Sequence, residues 1–311
     1  MSGAALVGGY AADAVFGDPR RLHPVAGFGK IALAAERLGY APSRTRGVLY
    51  ASALVGSAAL VAELSARAAQ RTALGRAGVL VMVTWAALGG RSLASEARRL
   101  ARHVQAGDLD EAREVLPSLC GRDPAGLDGP GLSRAAVESV AENTADAVIG
   151  ALLWGAVAGP AGVAAYRAAN TLDAMVGHRS ERYASFGWAA ARLDDILSWP
   201  GARVGALLAA LLAPLVGGSP AQTLRVARRD GAAHPSPNAG LIEAAFAGAL
   251  GLALGGPLTY DGRIEVRPSL GDGRPPGADD VERAIRLATA VGVAAVLLAA
   301  GARDLVRRGQ P

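Results

Sequence analysis

The chain has 311 residues, 51% hydrophobic and 19% charged, with a formal net charge of +5. Soluble domains carry about 25% charged residues, so this composition fits either one large helical domain or a membrane protein with polar loops. No basic run with interleaved aromatics occurs, which excludes nucleic acid as a partner. The single cysteine, Cys120, excludes an internal disulfide and a cysteine-based zinc site.

Lys30 is the only lysine among 32 basic residues. The positive charge is therefore almost all arginine, which stays charged and binds carboxylate or phosphate bidentately. GC-rich coding accounts for most of these arginines and for the abundant alanine. The basic balance suits acidic lipid headgroups or anionic substrates.

The first stretch, "MSGAALVGGYAADAVFGDPRR", lacks a positive n-region and is not expected to act as a secretory signal. In "GDPRRLHPVAGFGK" (17–30), Pro24 forces His23 into an extended conformation, as in a shaped loop before a helix. A bilayer span needs about 20 mostly apolar residues. The windows that approach this are Val48–Leu64, Ala77–Gly90, Ala147–Tyr166 with a break at Gly159-Pro160, Ala202–Gly218, Ala239–Gly256 and Leu287–Ala302. Arginines cluster at their ends, as at membrane boundaries. The expectation is an all-α, polytopic membrane protein of about four or five spans, forming one domain over 1–311.

Between the windows, Arg91–Val115 reads as a solvated amphipathic helix with Leu93, Leu100 and Val104 on one face. Residues 117–134 and 269–280 read as Pro/Gly loops, with Asp279 or Asp280 capping the last helix.

The segment "ESVAENTADAVIG" (138–150) places Glu138, Glu142 and Asp146 on one helical face, beside Ser139 and Asn143. Like charges at this spacing destabilise a helix by about 0.2–0.5 kcal/mol per pair. A solvated first turn, where acids suit the positive helix end, accounts for Glu138 but not for Asp146 beside the apolar run. An acid near lipid faces a cavity, a cation or a partner. Glu142, Asn143 and Asp146 are thus functional candidates, and a phosphate-bound Mg²⁺ is a natural partner.

In "YRAANTLDAMVGHRSERY" (166–183), Tyr166, Asn170 and Asp173 stack with Arg167 alongside. An Arg167–Asp173 or Arg167–Glu142 pair joining two helices is the structural alternative. His178, Arg179, Glu181 and Arg182 then form a surface loop or an anion clamp. Further on, Arg192, Asp194 and Asp195 lie between Trp188 and Trp199, a tryptophan pair suited to a membrane interface. Adjacent acids point to different faces, so at most one of the two needs a functional role. A second His-Pro dipeptide opens "HPSPNAGLIEAAFAGALG", where Ser236 and Asn238 are good helix caps and His234 is unexplained by capping. No G-x-x-x-x-G-K-[ST] loop, H-E-x-x-H or G-x-S-x-G motif is present.

Five segments together resemble the cobinamide-phosphate synthase family of cobalamin biosynthesis (CbiB/CobD type). They are "DAVFGDPRRLHPV", "ESVAENTADAVIGALLW", "YRAANTLDAMVGHRSERYASFGWAAARLDDILSWPGAR", "HPSPNAGLIEAAFAGALGLALGG" and "RPSLGDG", in the family's order across nearly the whole chain. The resemblance implies a multi-pass inner-membrane enzyme. It would join (adenosyl)cobyric acid to (R)-1-aminopropan-2-ol, or its O-phosphate, through a propionate amide, using ATP and Mg²⁺. The corrinoid is then a substrate, and the partners are the bilayer and other membrane enzymes of cobalamin assembly.

On that reading Glu142, Asp146 and Asp173 hold Mg²⁺. Arg167, Arg182 and Arg192, with Asn238, bind substrate or phosphate groups. Asn143 and Asn170 orient them, and His23 or His234 accepts the proton. The missing phosphate loop leaves the nucleotide unplaced. A transporter or channel with an Asp/Asn/Arg polar path is the competing class, and a soluble helical enzyme a third.

Overall fold

The computed structural model describes residues 3–19, 23–71, 75–178, 180–260 and 263–308. In chain order these form α1 (Ala4–Phe16), α2 (Pro24–Gly39), α3 (Arg44–Ala68), α4 (Gly75–Ala87), α5 (Gly90–Ala106), α6 (Leu109–Val115), α7 (Gly129–Asn143) and α8 (Gly150–Leu172). Then follow α9 (Tyr183–Phe186), α10 (Trp188–Leu212), α11 (Pro220–Asp230), α12 (Ala239–Leu250), the strands β1 (Leu254–Tyr260) and β2 (Arg263–Leu270), and α13 (Ala278–Arg308). The chain is helical apart from this antiparallel hairpin, among the described residues, and five helical segments are long and apolar enough to cross a membrane. They are Arg44–Arg71, Gly75–Ala106, Gly129–Gly177, Trp188–Val216 and Ala278–Leu305. The Ala239–Gly256 window falls short, because α12 ends at Leu250 on the left-handed Gly251.

Two wide π-helical turns interrupt the regular winding, Thr144–Ile149 after α7 and Asp173–Gly177 after α8. A turn of this kind holds an extra residue and recurs at functional sites. Each contains one of the acids singled out from sequence, Asp146 and Asp173.

Contacts gather the chain into two compact units. The first comprises Met1–Gly89, Asp146–Pro200 and Val296–Pro311, and the second Gly90–Ala145 and Gly201–Ala295. In the first unit α1 packs on α4, and α3 and α4 pack on α8. Small residues allow the close approach: Gly9 lies against Thr84, Gly47 against the Phe186 carbonyl, and Gly150 against the Tyr166 ring. Glycine and alanine at such contacts let helix backbones approach without a side chain between them. Phe186 packs at a tilt against Tyr50 and Tyr40, with ring centroids 4.9 and 5.3 Å apart. Leu60, Val61 and Leu64 face outward from α3, and Lys30 is exposed on α2. Trp188 and Trp199 are exposed too, as side chains at a membrane interface would be.

In the second unit α5 packs on α6 and α7, and α12 packs on α11 and α7. The loop expected over 117–134 is shorter, because α7 starts at Gly129, where Asp128 accepts the Gly131 N–H and Pro130 occupies the first turn. Asp280 secures the start of α13 by accepting the Gly277 N–H at 2.9 Å, and it also takes Arg274 and Arg283.

The break expected at Gly159-Pro160 is a kink inside α8, with Gly159 at φ 65°. Proline has no N–H to offer the carbonyl four residues back, and the kink frees the one before it. Arg303 answers both, donating from Nη1 to the Gly155 and Ala156 oxygens at 2.7 and 2.9 Å. An unsatisfied buried carbonyl costs about 1–3 kcal/mol. Arg303→Leu should therefore lower the melting temperature in detergent by several degrees. Adding Pro160→Ala, which restores one N–H, should recover part of the loss.

Candidate functional site

A continuous polar relay crosses the first unit. Beyond its kink, α8 carries Tyr166, Arg167 and Asn170, and α10 presents Asp194 and Ser198 one turn apart. Arg167 Nη1 donates to Asn170 Oδ1 at 3.0 Å, and Asn170 Nδ2 donates to Asp194 Oδ1 at 3.3 Å. Ser198 Oγ donates to the same oxygen at 3.3 Å and lies 3.1 Å from the Tyr166 hydroxyl. Asp18, Asp146 and Asp194 surround the Arg167 charge. Arg167 also reaches the wall of a cavity of about 710 Å³ whose remaining lining is largely apolar, including Phe28, Met82 and Trp85. That is the size of a small-molecule site, with one fixed charge to orient its occupant.

The other candidates in this unit have specific local partners. His23 caps α2: its Nδ1 accepts the Val25 N–H at 3.2 Å, which leaves Nε2–H facing Asp18 Oδ1 at 3.6 Å. Its lone pair is thus used by the cap. Arg182 is exposed and binds the buried Glu36, with Nη2 2.9 Å from Oε1. Tyr183 donates its hydroxyl to the same oxygen, and Tyr40 stacks 4.0 Å from the guanidinium carbon. Arg192 is exposed and pairs with Asp195 at 3.0 Å. Asp173 lies against Gly177 so closely that any side chain there would meet its Oδ1. Arg167 takes Asn170 as its hydrogen-bond partner rather than the Asp173 or Glu142 considered from sequence. Arg20, Arg21 and Arg179 lie outside the described residues.

The acid ladder is divided. Glu138 and Glu142 belong to the second unit and Asp146 to the first, the boundary falling inside the π turn. The regular period of about 3.6 residues on which a single face depends does not run through it. Glu138 is also not in a solvated first turn. It sits in the third turn of α7, 5% exposed, bound by Arg122 and by the Gly255 N–H, the latter at 2.7 Å. Asn143 turns back on its own helix, donating to the Ser139 carbonyl at 2.9 Å.

Ser236 caps α12 through the Ala239 N–H at 3.1 Å. Asn238 does not cap; its Oδ1 accepts from Arg203 Nη1 at 2.7 Å. His234 is buried, with Nε2 3.2 Å from Arg267 Nη1 and Nδ1 beside the backbone of Ser236. The Ser236 N–H donates to Nδ1 at 3.0 Å, so both ring nitrogens have partners. Glu243 is buried in α12, where desolvation, with Glu138 and Glu142 nearby, pushes its carboxyl well above the usual range. Burial also pushes the Cys120 thiol up.

Among the described residues no three or more His, Cys, Asp or Glu side chains are grouped to hold a metal ion by themselves. Mg²⁺ carried on phosphates needs only one or two carboxylates, and the aspartates around Arg167 fit that smaller demand. Asp18, Arg203 and Arg267 are polar neighbours that spacing does not reveal, whereas Ser198 sits one helical turn from Asp194. Asp18 and Arg267 stand within the motifs "GDPRRLHPV" and "RPSLGDG", and that placement is their only signal in the sequence.

The family model described as "CobD/Cbib protein" matches residues 6–288. The chain is 52% identical to "Cobalamin biosynthesis protein CobD" of Mycobacterium tuberculosis, over 92% of this chain and 91% of that one. It is 44% identical to the protein of the same name from Geobacter metallireducens, covering 87% of each chain. The one from Rhodobacter capsulatus is 43% identical over 78% of this chain and 76% of its own. No solved structure matches.

The Arg182–Glu36 contact separates two roles for Arg182. If its work is to compensate Glu36, Arg182→Ala lowers thermal stability, and Glu36→Gln introduced with it recovers most of the loss. KM for any phosphorylated substrate then stays within about twofold, less than the loss from removing a charge-assisted hydrogen bond.

Proposed function

Because the chain belongs to the CobD/Cbib protein family, we propose that it acts in cobalamin biosynthesis as an ATP-dependent amide ligase. It would join aminopropanol or aminopropanol phosphate to a propionate carboxyl of (adenosyl)cobyric acid, giving (adenosyl)cobinamide or its phosphate. The observation that carries this is the relay beside the cavity, in which one arginine sits among three aspartates. The excess of negative charge suits the two cations the reaction brings, Mg²⁺ on the nucleotide and the ammonium of the amine.

A carboxylate must be activated before an amine displaces oxygen from it, most simply as an acyl phosphate formed at the expense of ATP. The amine then attacks the acyl carbon, the C–O bond breaks, phosphate leaves and the nitrogen loses a proton. Mg²⁺ on the nucleotide would supply charge neutralisation, and we assign Asp146 as its carboxylate. Arg167 binds the phosphoryl oxygens and Asn170 fixes the guanidinium. Both ring nitrogens of His23 and of His234 are engaged, so we give the proton to Asp194. The hydrogen bonds from Asn170 and Ser198 converge on its Oδ1 and leave Oδ2 to accept.

The five long apolar helices support a multi-pass protein, and we place it in the inner membrane. There a corrinoid, the bilayer and other enzymes of cobalamin assembly would be its partners.

The decisive assay uses purified protein with ATP, Mg²⁺ and cobyric acid, with aminopropanol and its phosphate in parallel. Amide product with ATP turnover is expected, and its absence with both amines would leave the transporter reading standing. Asp146→Asn should cut turnover by about 100-fold or more, the scale of losing one electrostatic group at a reacting centre. Wild-type turnover in that variant removes Asp146 from the site.

A further inference from the structure

The cavity of the first unit is matched to hydrocarbon. One wall is a stripe of α3: Leu54, Ser57, Ala58, Val61, Ala62 and Ser65. Residues at this spacing share one helix face, and at about 1.5 Å per residue the stripe is about 16 Å long. Ser65 is exposed at its end, and the polar groups farther in are already used. Ser57 Oγ donates to the Leu54 carbonyl at 2.9 Å, Thr171 Oγ1 to the Arg167 carbonyl at 2.7 Å, and Trp85 Nε1 to the Gly17 carbonyl at 2.8 Å. Arg167 donates to Asn170 and has three aspartates around its charge. A nucleotide, an amino alcohol and a carboxylic acid are all polar, and this wall offers them little. A hydrocarbon chain needs no such partner.

The cavity opens where lipid lies. Ile31 of α2, Val61 of α3 and Met82 of α4 line it and are exposed. Val61 also belongs to the outward face of α3 with Leu60 and Leu64, on a segment long and apolar enough to cross a membrane. The cavity wall is therefore continuous with a surface that hydrocarbon covers. Charge marks the end of the stripe. Beyond Ser65, Arg67 Nε and Arg76 Nη2 share the Glu63 carboxylate, each 3.0 Å from Oε1, and Arg71 is exposed just after α3. Glu63 is the only acid between residues 44 and 87. On this stretch three guanidinium groups thus stand against one carboxylate at the end of a span, the level at which basic residues meet lipid headgroups.

We propose that the cavity holds one acyl chain of a bilayer phospholipid, laid along the α3 stripe with its phosphate at Arg67, Arg71 and Arg76. The chain enters past Ile31, Val61 and Met82, and its inner end closes the apolar side of the relay at Arg167. The excess of positive charge at the headgroup end favours anionic phosphatidylglycerol over zwitterionic phosphatidylcholine. The site does not depend on the ligase reading, because lipid retention is measured without turnover.

The test uses full-length protein stripped of lipid in detergent and given one phospholipid at a time. Phosphatidylglycerol should raise the melting temperature by several degrees at concentrations well above Kd. Native mass spectrometry should show one lipid retained per chain, with phosphatidylcholine held more weakly. Arg67→Gln and Arg71→Gln should each weaken phosphatidylglycerol binding about fivefold. Ala58→Phe, which fills the stripe, should abolish retention, and Leu60→Phe on the outward face should leave it unchanged. Phosphatidylglycerol with a photoreactive diazirine at its chain end locates the chain in the wild type. Labelling is expected on the α8 wall, at Ala164, Ala168 or Thr171. Labels confined to outward residues such as Leu60 and Leu64 overturn the proposal, even if the variants fail to fold. Unchanged retention in a folded Ala58→Phe overturns it too. Cobyric acid stabilising the wild type but not Ala58→Phe, with no lipid retained, gives the cavity to the substrate and overturns it as well.

Discussion

Two backbone carbonyls shape the first unit. Gly159 and Pro160 bend α8 and leave the oxygens of Gly155 and Ala156 without the amides an unbroken helix would provide. Water does not reach them, and Arg303 does. The bend is therefore tied to a charge on another helix. Everything α8 presents beyond it, from Tyr166 to Asn170, leaves in the direction the bend sets. The same constraint recurs at three buried acids. Glu36 is answered by Arg182 and Tyr183, Glu138 by Arg122 and an amide, Asp280 by two arginines and an amide. Buried ions are tolerated when paired and hydrogen-bonded, and each such knot fixes the geometry of the elements that meet in it.

The relay around Arg167 differs in kind from these knots: there three aspartates surround one cation, so the acids outnumber it.

The helical, membrane-spanning character was legible because apolar run length is a local property. The kink at Gly159-Pro160 and the extended residues before the two His-Pro prolines were legible for the same reason, since proline acts on its immediate neighbours. The acid ladder was read less well. Its single face assumed regular winding, and a π turn is set by tertiary packing that spacing does not encode. Glu138 looked solvated for want of knowing that Arg122 and Gly255 come to it from elsewhere. Asn238 was read as a cap because asparagine caps well, whereas Arg203, 35 residues away, claims its oxygen. Asp18 comes to Arg167 only through folding, so composition and periodicity carry no trace of it. The hairpin is not legible in the sequence because β1 opens on a glycine pair, Gly255-Gly256, that reads as the tail of an apolar window.

The nearly lysine-free composition has a practical consequence. Lys30 is exposed on α2, one residue before Ile31, which lines the first unit's cavity. Apart from the chain's own α-amino group, it is the only primary amine the folded surface presents. An amine-reactive fluorophore or crosslinker therefore modifies one defined side chain without mutagenesis. That gives a built-in reporter beside the cavity, for following occupancy in the native protein and for telling which face of a sealed vesicle α2 lies on.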